Sequence, residues 1–523
     1  MRSERQREIM AQLEAEKCAA KKNRGIVLFR IISILYVILA AAFVVLLWRM
    51  DVLPAKYLYG GIAVLVIASI FIVPVMYSKN GKKGRKIGAT IAAFLLIGVF
   101  GVGAYYLADT MDFLGNITEV VQAKEDYYVV VKSDAAYEDI AGISGETIAT
   151  YMSHDLVYSE AKSKLQETVQ VEYAYAETSK DALVQLLNGE YNAAFLSAAT
   201  YQSMKNSSDA EITPLNIAES TKVLYTVSIP IESGDRTSAV DVTKESFNIY
   251  ISGSDMEGSI DIPNRTDVNM LATVNPVTHE VLLTSIPRDY YVELPSKGAK
   301  DKLTHSSLYG IQESIGAIEN QFGIDINYYL RVNYSTIMKL VDAIGGIEIE
   351  SDRDFYTSGM KGMPELNGHH FVKGTNRVDG KLALAFCRER HSFPEGDMKR
   401  NENQQQVMEA IIKKCTSSTT ILTKYTSLLD AVKDNLATNM SQEDMSAIIK
   451  TQIDKMPGWK ISKQAIKGTN GFEYCYALGF NASTVDAIPE EEVKAIDRIV
   501  KVMQTEDEST QPSDESAGAE TVN

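Results

Sequence analysis

Three apolar runs, at 26–48, 57–77 and 87–107, follow one another before the chain turns polar, and they limit what it can fold into. Each is about twenty residues long, enough at ~1.5 Å rise per residue to cross a hydrocarbon core of ~30 Å as a helix. Their one charge, Arg30, lies near an end from which its guanidinium can snorkel to the interface. Three such runs in succession fit membrane spans better than buried core helices. Pro74 marks a kink or an end in the second.

Loop charge sets the expected orientation. Residues 1–25 carry seven Lys/Arg against four Glu and read as a basic, helix-friendly cytoplasmic segment. No small-residue cleavage site follows the first run, so a cleaved signal peptide is not expected. The loop at 78–86 holds Lys79, Lys82, Lys83, Arg85 and Lys86 with no acid, whereas the first loop has only Arg49, Asp51 and Lys56. The positive-inside rule then places the N-terminus in the cytoplasm and everything after 107 outside a multi-pass cell-membrane protein. The whole chain is net −16 despite its basic leader, so the outer part is acidic and nucleic acid is a poor partner.

A chain of 523 residues holds several domains. Beyond the spans at 26–107, residues 120–236 show apolar runs at 127–134, 169–175 and 223–232 separated by helical patterns, the order of a small α/β accessory domain. Phrases within it, DIAGISGETIAT and LLNGEYNAAFLS, look like one lobe of a bacterial solute-binding protein; a spacer without ligand accounts for them equally well. A Gly/Ser/Asp-bearing break at 232–246 precedes a second α/β domain over 245–505, closed by helices near 398–415, 421–432 and 442–454. Residues 506–523 have six acids and no base, and read as a disordered tail. The cysteines Cys18, Cys387, Cys415 and Cys475 are too few for a disulfide framework; three lie outside the membrane, where one pair could oxidise.

The chemistry gathers in the second domain. Apolar runs at 247–252, 268–275 and 280–286 read as strands, and their ends carry Asp255, Arg265 with Asp267, and Arg288 with Asp289. Carboxylate oxygens suit a hard cation and guanidinium forks suit phosphate oxygens, so the set suits a phosphorylated ligand. Downstream, Arg388 and Arg390 share a face if extended, and Arg400 and Gln404 share a helix face near its positive end. Taken singly, each of these is more often a solvated charge than a ligand group; their grouping carries the argument. His369 and His370 have no companions at zinc spacing, and a lone His305 is more often structural than catalytic.

The series GSD (253–255), RTD (265–267), SIPRD (285–289), DKLTH (301–305), INYYLRVNY (326–334), DAIGGIEIE (342–350) and RER followed by GD and R-x-x-x-Q (388–404) resembles the LytR–CpsA–Psr family of cell-wall enzymes, in order and over about 247–415. The resemblance implies an αβα-layered domain that moves a glycopolymer from a polyprenyl-pyrophosphate carrier to peptidoglycan. It also implies Asp255 and Asp267 as ligands of Mg²⁺, or Mn²⁺, and Arg265, Arg288, Lys302, Arg388, Arg390, Arg400 and Gln404 as the phosphate and lipid head-group clamp. Arg265, Arg288, Arg388 and Arg390 would join the two aspartates in catalysis; Asp289 and Asp397 would orient arginines or merely form local pairs. Three spans and an accessory domain are similar to the capsule-linked members, which implies capsular polysaccharide as donor and capsule-synthesis membrane proteins as possible partners. Two rivals stand beside this expectation: hydrolysis of polyprenyl pyrophosphate, and a non-enzymatic lipid- or polymer-binding regulator.

Overall fold

The computed structural model describes residues 2–50, 54–79, 82–117, 124–153, 155–205, 212–231, 236–254, 264–360, 363–417, 428, 431 and 436–504. Asp255, the 506–523 tail and nearly all of the helix expected at 421–432 lie outside these residues. The chain divides into two units, 1–116 with 442–456, and 117–441 with 457–523.

The first unit holds helices Arg2–Met50, Ala55–Tyr77 and Lys83–Ile117, with Gln442–Lys455. Segments of the first three are long and apolar enough to span a membrane: Ile26–Arg49, Ala55–Tyr77 and Lys83–Tyr105. Tyr36, Ile72, Met76, Ala93 and Phe100 pack inward, and Phe43 stacks on Phe100 at 5.2 Å. Side chains such as Phe71 and Leu95 point outward, as a helix surface facing hydrocarbon requires.

In the second unit, strands β1 (Lys124–Lys132), β2 (Thr147–Tyr151), β3 (Glu172–Ala176), β4 (Ala193–Ser197) and β5 (Thr221–Pro230) form a sheet in the order β3-β2-β4-β1-β5. Alternation along β1 sends Tyr127, Val129 and Val131 to one face, against the helix Leu156–Thr168, and Val130 to the other, against Ser179–Asn188 and Ala198–Lys205.

Three antiparallel strands, β6 (Phe247–Ser254), β7 (Thr266–Asn275) and β8 (Glu280–Ile286), match the apolar runs read from sequence. After the hairpin of β9 (Tyr291–Leu294) and β10 (Ala299–Lys302) comes β11 (Tyr328–Asn333), parallel to β6. The helix Tyr334–Ala343 leads through Gly345 and Gly346, both at φ 82°, into β12 (Ile347–Ser351). There follow β13 (Phe355–Tyr356), β14 (His370–Phe371), β15 (Gly374–Val378), and the helices Gly380–Arg388 and Asp397–Cys415. β16 (Leu436–Thr438) and β17 (Lys460–Ala465) complete a six-stranded sheet, β16-β11-β6-β7-β8-β17.

The main sheet is covered on both faces. Tyr250, Leu271 and Leu282 pack beneath the helices Ile311–Phe322 and Pro489–Met503; Ile251, Met270 and Leu283 pack beneath Met408 and Ile412 of Asp397–Cys415. This is the αβα arrangement. The last hairpin, β18 (Gly468–Cys475) and β19 (Phe480–Ala487), had no counterpart in the sequence reading, and neither did β17 or Pro489–Met503. Cys475, Leu478 and Ala482 of that hairpin enter the core of the β1–β5 sheet, so a hairpin of one α/β part completes a core of the other. Cys387, Cys415 and Cys475 are free thiols.

Candidate phosphate site

The site is assembled by strand register. β7 and β8 run antiparallel with Asn269 opposite Ile286. Two residues further along each strand stand Asp267 and Arg288, and their side chains meet, Arg288 Nη1 donating to Asp267 Oδ1 at 2.9 Å. Backbone bonds from Thr304 N to Arg288 O and from Leu303 N to Tyr290 O bring the 302–304 segment alongside. Lys302 Nζ then lies 3.6 Å from Asp289 Oδ1, and Asp289 Oδ2 lies 3.5 Å from Arg288 Nε.

The Asp397–Cys415 helix brings the other half. Asp397, in its first turn, takes a hydrogen bond from Arg400 Nη2 at 3.0 Å, stands 3.7 Å from Arg390 Nη1 and reaches to 3.9 Å from Arg288 Nε. One carboxylate thus organises three arginines. From sequence alone Asp397 is an orienting group or a local pair, and its one local signal is the three-residue spacing to Arg400. Arg400 and Gln404 are buried on one helix face, as their spacing predicts. Arg388 departs from expectation. It ends the helix Gly380–Arg388 instead of sharing an extended segment with Arg390, because the apolar face of that helix, including Leu384 and Phe386, is buried and carries the helix to its last turn. Its guanidinium lies 4.9 Å over the Tyr334 ring. Tyr334 follows Asn333, which pairs with Ser254, so Arg388 stands beside the strand end leading toward Asp255.

Burial alone would push the Asp267 carboxyl up; Arg288, Arg400 and Arg265 outweigh it and hold the carboxyl below its ordinary value. Arg288 is pushed up, since Asp267, Asp289 and Asp397 outweigh its desolvation. Among the described residues cations outnumber carboxylates: Arg265, Arg288, Lys302, Arg390 and Arg400 surround Asp267, Asp289 and Asp397. Nε of Arg288 and Nε of Arg400 are buried and donate no hydrogen bond to a described residue, although Arg288 Nε stands 3.5 Å from Asp289 Oδ2, and the buried Oδ1 of Asp397 accepts none. Buried donors without acceptors are costly, so the cluster is poised for an anion with several oxygens.

His305 belongs to a different device. Its Nδ1 meets Asp301 Oδ1 at 2.6 Å, while Asp301 Oδ2 accepts from Ala477 N at 2.7 Å. The DKLTH phrase therefore ties β10 to the last hairpin. Among the described residues no three His, Cys, Asp or Glu side chains gather to cage a metal. The buried, ionised Asp267 suits one position in the coordination shell of a hard cation, and the second expected ligand, Asp255, lies outside the described residues.

Sheet, register and charge define an αβα protein with a basic, phosphate-suited site at one end of its central strands. The model of the LytR_cpsA_psr family matches residues 199–495. A polyisoprenyl-teichoic acid–peptidoglycan teichoic acid transferase TagU of Bacillus mycoides is 34% identical over 263 residues, 49% of this chain and 83% of its own. The protein of that name in Bacillus anthracis is 35% identical over 236 residues, 44% and 74%. The crystal structure of Bacillus subtilis TagU aligns with a TM-score of 0.38 at 28% identity, covering 50% of this chain and 99% of that one. The chain belongs to the LytR_cpsA_psr family.

Proposed function

We propose that this protein is a membrane-anchored phosphotransferase that moves a glycopolymer from a polyprenyl-pyrophosphate carrier to peptidoglycan. The observation that carries the reading is the pair of buried, unsatisfied guanidinium donors on Arg288 and Arg400 beside Asp267. They suit the oxygens of a pyrophosphate, and the family and the activity for which its TagU relatives are named point the same way.

In this reading Arg265, Arg288, Arg390 and Arg400 bind the donor's phosphates, with Lys302, Arg388 and Gln404 completing the clamp around the head group. Asp289 and Asp397 fix the guanidinium planes. An acceptor sugar hydroxyl attacks the sugar-linked phosphorus and the bond to the bridging oxygen breaks. Polyprenyl phosphate leaves with the electron pair, and a site carboxylate takes the hydroxyl proton. Asp267 and Asp255 would hold Mg²⁺ or Mn²⁺, which when bound offsets the charge of the pyrophosphate and of the leaving phosphate. The positive-inside pattern supports a site outside the cell, where peptidoglycan lies. The three spans and the accessory sheet favour capsular polysaccharide as the polymer; the relatives are named for teichoic acid.

The test incubates the full-length chain in detergent with polyprenyl-pyrophosphate-linked saccharide and peptidoglycan fragments, with and without Mg²⁺, beside Asp267→Ala. Covalent product that requires Mg²⁺ and vanishes in the variant supports the transferase. Free phosphosaccharide alone points to hydrolysis, and lipid binding without turnover to a regulator. Comparing teichoic-acid-type with capsule-type donors settles the polymer.

A further inference from the structure

The 389–397 loop carries Arg390 and ends on Asp397, and its outer side is clamped to the β13–β14 ribbon. Arg353 Nη2 pairs with Glu395 Oε1 at 3.1 Å, and Lys399 Nζ with Asp352 Oδ2 at 3.2 Å. Ser358 N donates to Glu389 Oε2 and Ser392 Oγ to Tyr356 O, both at 2.5 Å. The Phe355 ring meets Phe393 edge-on at 4.7 Å. The ribbon is therefore fixed to the segment that places the phosphate-site arginine.

Alternation along the ribbon gives it two aromatic layers. Phe355 and Phe371 turn inward, are buried, and stack at 5.0 Å. Tyr356 and His370 turn outward and stack at 4.5 Å with their planes 13° apart. The inner pair accounts for the ribbon's stability. The outer pair leaves Tyr356 60% exposed, beside Val372 at 45%. A flat ring face at the surface, rimmed by Asp354 and Lys373, suits a ligand with an apolar C–H face and polar edges. A lipid tail needs an enclosed apolar slot and a phosphate needs an excess of cations; this rim supplies neither.

We infer that the Tyr356–His370 stack is a platform for the acceptor, on which a pyranose ring of the glycan strand lies while a neighbouring sugar enters the phosphate site. The inference rests on the transferase reading and names where that site receives its second substrate.

The experiment measures initial transfer rates of the full-length chain in detergent at fixed donor, over a series of soluble glycan fragments of alternating N-acetylglucosamine and N-acetylmuramic acid. Tyr356→Ala and His370→Ala are expected to raise the acceptor KM about 3- to 10-fold each, with kcat and donor KM unchanged. Tyr356→Phe keeps the ring and should behave as wild type. An unchanged acceptor KM in Tyr356→Ala, or equal losses for donor and acceptor, overturns the platform. Saturation-transfer NMR with the same fragments and no donor separates the two ideas. Sugar C–H signals lost in Tyr356→Ala support the platform even if transfer is never observed. No signal from the wild-type chain overturns it and leaves the transferase reading intact.

Discussion

Two clusters of buried charge in the second unit of this protein look alike in composition and differ in completeness. At the first, Lys297 Nζ pairs with Glu125 Oε1 at 2.6 Å and Asp155 Oδ2 at 2.8 Å. Tyr127 donates to Glu125 Oε2, Val157 N to Asp155 Oδ1 and Tyr476 to Asp155 Oδ2, so every carboxylate oxygen has a donor. At the second, around Asp267, cations outnumber carboxylates among the described residues, and the buried Nε of Arg288, Nε of Arg400 and Oδ1 of Asp397 make no hydrogen bond to them. A closed network holds parts of a fold together; an open one is prepared for something that arrives later. The Lys297 cluster joins the β1–β5 sheet to the β9–β10 hairpin and the last hairpin, next to the core they share. The Asp267 cluster crosses the end of the main sheet, and Arg390 and Asp397 at its rim are partly exposed.

The largest effect should come from opening the closed cluster. Lys297→Ala leaves Glu125 and Asp155 buried without their cation and is expected to cost about 3–5 kcal/mol, read as a lower midpoint in chemical denaturation. A change below about 1 kcal/mol would mean that the cluster is not structural. Next, Arg288→Ala should lower transfer about 10²- to 10³-fold, the usual loss for one preorganised donor at a developing charge, while moving the unfolding midpoint less than Lys297→Ala does. A variant that loses stability and keeps turnover would reverse the two roles. Inorganic pyrophosphate should stabilise the wild-type chain by about 1–3 kcal/mol at 10 to 100 times its Kd, leaving Arg288→Ala nearly unmoved. Equal stabilisation of both would place the anion elsewhere.

The smallest effect sharpens the contrast through pH. Burial pushes Lys297 down, and Glu125 and Asp155 outweigh it, so its folded pKa lies above the ordinary 10.5. Burial pushes Asp155 up, and Lys297 outweighs it, so its folded pKa lies below 3.8. Lys297 therefore contributes stability fully below pH ~10.5 and loses it as pH rises through the higher folded value. Asp155 contributes above pH ~3.8 and loses its share as pH falls through the lower one. The stability difference between wild type and Lys297→Met should stay flat between about pH 5 and 9 and shrink at both extremes. A maximum near pH 7 with steep flanks would implicate other groups.

Much of this was legible in the chain because it is local. Apolar runs long enough to span, the shorter apolar runs at 247–252, 268–275 and 280–286, and the helical spacing of Arg400 and Gln404 are all signals carried by neighbouring residues. The aspartates and arginines at the strand ends could be picked out for the same reason. Their meeting could not: Asp267 faces Arg288 only because Asn269 pairs with Ile286 and not with a neighbour one position away. Arg388 closes the helix Gly380–Arg388, whose apolar face packs into the core, so it shares no extended segment with Arg390. Lys297, Glu125, Asp155 and Tyr476 come from four distant segments, and β18–β19 fills a core belonging to strands β1–β4, more than 270 residues earlier. Sequence alone determined the spans, the main strands and the kinds of chemical group at their ends. Tertiary structure decided which charges are satisfied and which wait, because pairing across a fold depends on register and burial, and neither leaves a periodic trace along the chain.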